Sequence, residues 1–210
     1  DDGASVVHWA AKYSDPEYLR ALLSLGTSSC SLQTPLLFLG TCAPLEKAAL
    51  LIEHGADVTK LMKDGWTALM LAAANGHIGV VDMLVAAGIA VGAVNKDGQP
   101  ALHIACKHGH EAVIDHGASV QARTKTGLTA LMIAARHGKL GAMDVLVAAG
   151  AAVGDADDDG WTALHHACGH GHDAAVRRLI EHGADVMAAA TDGRVPLMVA
   201  AGGGHVGVVD

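Results

Sequence analysis

Asp159-Gly160-Trp161-Thr162-Ala163-Leu164-His165 is the stretch that decides the fold, because it returns as Asp64-Gly65-Trp66-Thr67-Ala68-Leu69. Its leucine recurs at Leu36, Leu69, Leu102, Leu131, Leu164 and Leu197, at intervals of 33, 33, 29, 33 and 33 residues. Val7 stands 29 residues before the first. A period of about 20–50 residues marks a stacked solenoid, in which one unit cannot bury its apolar face and neighbours complete it. Function is then expected on an extended surface.

One unit, residues 64–96, shows how the phrase folds. Asp64-Gly65 is a turn signal. Thr67 precedes the apolar run Ala68-Leu69-Met70-Leu71-Ala72-Ala73, and a hydroxyl there suits a helix start because it satisfies a free backbone N–H. Asn75-Gly76 ends that helix, since glycine takes the left-handed conformation at low cost. Val80, Val81, Leu84 and Val85 then predict a second helix over about 77–86. Gly88 closes it, and Val91 to Lys96 lead in extended form to the next turn, Asp97-Gly98.

On these residues the chain resembles the ankyrin repeat family. Thr34-Pro35-Leu36, Thr162–His165, the Gly-His blocks such as Gly76-His77, and Gly-Ala-Asp-Val at Gly55–Val58 and Gly183–Val186 carry the resemblance. It implies an all-α ankyrin-repeat solenoid of stacked helix-turn-helix units with projecting hairpin loops. A single domain over 1–210 is expected, in about seven units: 3–31 with a short finger, 32–63, 64–96, 97–125 with a shortened second helix, 126–158, 159–191 and a truncated 192–210. Four residues missing between Leu102 and Gly117 amount to about one helical turn, which keeps the apolar face in phase and predicts a notch in the outer face. The end of the chain within a unit suggests a piece of something longer.

Composition narrows the function. Apolar residues make up 51% of 210, but aromatics only 3%, so much of the core is alanine and should be thin and continuous. A formal net charge of −8 argues against nucleic acid as a partner. No window reaches 18 uncharged apolar residues, so no membrane insertion is expected. Cys106 and Cys168 share a register two units apart, too far for a disulfide, while a Cys30–Cys42 bridge stays open. Free thiols favour cytoplasm or nucleus.

Fourteen histidines invite a metal site. His165, His166, Cys168, His170 and His172 crowd one segment, and His103, Cys106, His108 and His110 repeat much of it. The resemblance accounts for most of them as structural, His8, His103 and His165 in the Thr-Pro-Leu-His slot and His77, His110, His172 and His205 in the Gly-His slot. Too few ligands remain for zinc, and no metal or cofactor is expected. No nucleophile stands beside an oriented base, so no catalytic residue is assigned and the chain reads as non-enzymatic.

The resemblance implies that another protein binds finger tips and exposed first-helix ends, which line a concave face, and that the array is monomeric. Those positions are Lys63, Asp64, Trp66 and Asn75 in the third unit, and Lys96, Gln99, Lys107 and His108 in the fourth. In the fifth they are Lys125, Leu128, Arg136 and His137, and in the sixth Asp158, Trp161 and His170. The register predicts exposure of Trp66 and Trp161, which would make them binding anchors; the alternative is that each packs flat on its neighbouring finger. Lysines dominate the middle of this face and aspartates the sixth unit, so a partner would be oriented electrostatically. The alternative is a targeting or regulatory module of a larger enzyme or channel.

Overall fold

Two layers of short helices build the described part of the chain. The computed structural model describes residues 16–24, 45–114, 119–205 and 207. Expectations on Val7, the short first finger, Thr34–Leu36, the Cys30–Cys42 pair and the last four residues lie largely or wholly outside them. One layer stacks the first helices in order: α3 (Ala68–Asn75), α5 (Ala101–His108), α6 (Ala130–Arg136), α8 (Ala163–Gly169) and α10 (Pro196–Gly202). The other holds second helices: α1 (Pro16–Ser24), α2 (Leu45–Glu53), α4 (Ile78–Ala86), α7 (Leu140–Ala148) and α9 (Asp173–Glu181). Between α4 and α7 the fourth unit contributes a 3-10 turn, Glu111–Val113.

The helix starts follow from the threonines. Thr67 Oγ1 accepts from Met70 N–H at 3.1 Å, and Thr129 Oγ1 from Met132 N–H at 3.3 Å, each satisfying one N–H that the helix leaves without a partner. The period leucines Leu69, Leu102, Leu131 and Leu164 are buried, each with about 1.5–3 kcal/mol of favourable transfer. Leu197, the last of the series, is 54% exposed. The core also differs from the expected continuous strip. It falls into two clusters that divide in α5: Ala101, Ile104 and Ala105 face the earlier units, whereas Leu102 and Cys106 face the later ones.

Histidines stitch the units together. His110 Nε2 donates to Ala74 carbonyl (3.1 Å), His172 Nε2 to Arg136 carbonyl (3.1 Å) and His205 Nε2 to Gly169 carbonyl (3.2 Å). Each bond satisfies a carbonyl at the end of the preceding unit's first helix. The ring lies so close that a Cβ on Gly138 would stand 2.9 Å from His172 Nδ1, which explains the glycine before the end of that turn. In the other histidine slot, His103 Nε2 donates to Leu128 carbonyl and His165 Nε2 to Arg194 carbonyl, both at 3.1 Å.

Candidate protein-binding surface

The fingers begin at a side chain that folds back on the backbone. Asn95 Oδ1 accepts from the N–H groups of Asp97 and Gln99, both at 3.0 Å. Thr124 Oγ1 accepts from Thr126 (3.3 Å) and Leu128 (3.1 Å), and Asp157 Oδ1 from Asp159 (3.1 Å) and Trp161 (2.8 Å). Short polar side chains favour such turns because they replace a backbone acceptor. Neighbouring tips are then joined: Lys96 N–H donates to Asp64 carbonyl (2.9 Å), Lys125 to Asp97 (3.2 Å), Asp158 to Thr126 (3.3 Å) and Thr191 to Asp159 (3.0 Å). At each tip a glycine with positive φ allows this approach; a Cβ on Gly127 would meet Asp158 N at 2.8 Å.

This ladder fixes where the sequence-chosen residues point. Lys63, Asn75, Lys96, Lys107, His108, Lys125, Arg136, His137, Asp158 and His170 are exposed, while Asp64, Gln99 and Leu128 are half-buried. Asp64 Oδ1 is buried with no hydrogen-bond partner. Asn75 donates its amide to Leu71 carbonyl (2.8 Å), and His170 Nδ1 donates to His166 carbonyl (3.0 Å).

Trp66 and Trp161 are both half-buried, between the two arrangements expected of them. Trp66 packs against the first core cluster. Trp161 lies against His166 (ring centroids 5.3 Å apart) and His165 (5.9 Å), with the Arg194 guanidinium 5.6 Å from its ring centre. A Cβ built on Gly169 would also meet the Trp161 ring at 3.3 Å, so this ring packs closely on α8 and braces its finger.

Five of the chosen residues come together. Gln99, Lys107, Leu128, Arg136 and His137 line one surface cleft of about 240 Å³ between the fourth and fifth units. Ile133, which sequence reading missed, is its sixth lining residue; it is only 4% exposed. Its slot is apolar in Leu71 and Ile104 too, so nothing in the pattern marks it as a lining residue. Burial holds the His137 pKa below its ordinary value, helped by Lys107 and Arg136 and then by His170 and Lys139. Burial likewise lowers His108, with Lys107, His110 and Lys139 adding to it.

A second feature was also missed. His166 occupies the slot of Leu71, Ile104 and Ile133, and its Nε2 donates to Asp157 Oδ2 at 2.9 Å with both side chains buried. Burial lowers the His166 pKa, against the raising effect of Asp157, so the ring is neutral at pH 7. Since the other Asp157 oxygen holds the turn, the pair clamps the sixth finger to α8.

Cys106 and Cys168 are free buried thiols, pushed up to about 12 and about 11 by burial, which makes them poor nucleophiles and ligands. Among the described residues no three His, Cys, Asp or Glu side chains converge as a metal-ligand set. No described helix is long and apolar enough to cross a membrane.

Stacked helix pairs with a hydrogen-bonded ladder of fingers define a repeat solenoid that presents a surface for macromolecular contact. The chain belongs to the ankyrin repeat family: the family model for ankyrin repeats in three copies matches residues 43–122, 88–157, 112–190 and 131–210. Such repeats are protein–protein interaction modules. The glycerophosphocholine phosphodiesterase gde1 of Schizosaccharomyces pombe is 32% identical over 85 residues. That match takes in 38% of this chain and 8% of the phosphodiesterase, so the similarity spans a small part of the larger protein.

Proposed function

We propose that this chain is a non-catalytic scaffold that holds a partner protein against its concave face and finger loops. The carrying observation is that Gln99, Lys107, Leu128, Arg136 and His137, from two fingers and two first-helix ends, line one open cleft. The residues shared between units are consumed in caps, stitches and core, whereas most of these differ from unit to unit, and Lys107, Arg136 and His137 stay exposed. A scaffold of this kind binds by preorganised display, which lowers the ordering cost of association. The free buried thiols support placement in cytoplasm or nucleus, and the chain is proposed to work as a monomeric array.

A photo-crosslinking residue placed at Lys107, His137 or Asp158 should capture the partner in the full-length natural protein. The same residue at Arg177 or Glu181, exposed on α9, should not. Capture through α9 alone would overturn the reading. A second reading, a regulatory module attached to an enzyme, is favoured by the similarity to a short part of a phosphodiesterase. A natural protein that carries a catalytic domain, and loses regulation when these repeats are deleted, would establish it.

A further inference from the structure

The cations of this chain divide into two sets. Arg123 pairs with Asp155 at 2.9 Å, Arg194 with Asp192 at 2.6 Å, and Arg178 with Asp144. Lys107 and Arg136, like several other described lysines and Arg177, have no carboxylate within ion-pair reach among the described residues, but these two line one cleft whose lining holds no carboxylate. They stand together at one cleft, in a protein whose formal net charge is −8. The electropositive field there is also felt by His137, which Lys107, Arg136, His170 and Lys139 all help hold neutral. An acidic chain that leaves two adjacent cations unneutralised attracts an acidic group from elsewhere.

The cleft has a second property. Leu128 and Ile133 are aliphatic residues of its lining. Methylenes ending in a carboxylate match that arrangement, and the Arg136 guanidinium can hold such a carboxylate through two parallel N–H bonds.

We propose that the cleft between the fourth and fifth units takes a glutamate side chain from an acidic segment of a partner protein, with Arg136 and Lys107 as its counter-charges. The inference rests on the scaffold reading and adds the chemistry of the bound segment. Gln99, on the finger side of the same cleft, is placed to bond the backbone of that segment.

The test uses the 210-residue chain and a fluorescein-labelled peptide of alternating glutamate and leucine, with its glutamine counterpart as control, followed by anisotropy. The glutamate peptide should bind about tenfold more tightly than the glutamine one, and weaken as salt rises. Lys107→Glu with Arg136→Glu should remove that preference, while Arg177→Glu on exposed α9 should keep it. An unchanged melting transition shows that the double variant is folded. The His137 ring should also titrate at higher pH when the glutamate peptide is bound, because the new carboxylate favours its charged form. Equal affinity for the two peptides, a preference that survives the double variant, no binding, or tighter binding of an oligothymidylate would each overturn the proposal. If crosslinks from Lys107 and His137 still capture the partner, the scaffold reading stands without it; loss of those crosslinks defeats the scaffold reading itself.

Discussion

The fourth and sixth units start their first helices alike, Ala101-Leu102-His103 and Ala163-Leu164-His165, and finish the same histidine differently. In the sixth, Nε2 donates to Arg194 carbonyl, which leaves Nδ1 to accept. Both the Thr162 N–H (3.1 Å) and the Thr162 hydroxyl (2.9 Å) reach that nitrogen. In the fourth, Pro100 stands in the threonine slot and has neither group. His103 Nδ1 is accordingly buried with no hydrogen-bond partner. Among the described residues, the fourth unit carries a three-residue 3-10 turn where the sixth has the nine-residue helix α9. Matching core residues therefore do not imply matching stability, because a repeat is completed by its caps and its second layer.

The largest expected effect probes the shared core. Leu164→Ala should cost about 3 kcal/mol and Leu102→Ala somewhat less, because the fourth unit has less packed structure holding its cavity open. Denaturant unfolding of both variants measures this, and equal losses would break the contrast.

Next comes the exchange of the caps. Thr162→Pro should transplant the defect and cost about 2 kcal/mol, combining a lost cap with an unpaired buried ring nitrogen. Pro100→Thr should repair the fourth unit and gain about 1 kcal/mol. A destabilised Pro100→Thr chain would show that the proline fits that site for another reason.

Acid should act through the two buried rings of lowered pKa. His103 is lowered chiefly by burial, and so is His166. Unfolded histidines take up protons near about pH 6.5, and these two do so only at lower pH when folded. Their contribution to stability is complete above that value and falls as pH drops below it. Melting midpoints taken from pH 7.5 downward should decline, with ring NMR titrations of both residues below the ordinary histidine range. A His103 titrating at or above that range would contradict its unpaired burial.

The smallest effect lies on the outer layer. Arg178 on α9 pairs with Asp144 on α7, and Arg178 and His182 hold the Asp144 carboxyl below the usual carboxylate range. The pair is about two-fifths exposed, so Arg178→Ala should cost under about 1 kcal/mol in a thermal melt, and less in high salt.

Much of this was legible in the chain. The period set the stack, the threonines set the helix starts, and Asn75-Gly76 set a helix end, because caps and turns act within a few residues. The candidate face was legible in part: five positions chosen by register line one cleft. Its floor, Ile133, was not, since a wall residue and a core residue share one apolar slot. The same limit hid the His166–Asp157 clamp, and the half-burial of the tryptophans rests on contacts, such as Trp161 with His166 and Arg194, that the pattern does not show.

Sequence alone determined the ankyrin architecture and the approximate surface, because both follow from short-range signals multiplied by repetition. Only the tertiary structure decided which cations find partners, which histidine nitrogen goes without one, and where the core divides. Most of those outcomes depend on contacts between groups some thirty residues apart, such as Arg123 with Asp155 and Arg178 with Asp144, where one changed side chain in a neighbouring unit alters the balance, whereas the lone His103 nitrogen also reflects Pro100 three residues before it.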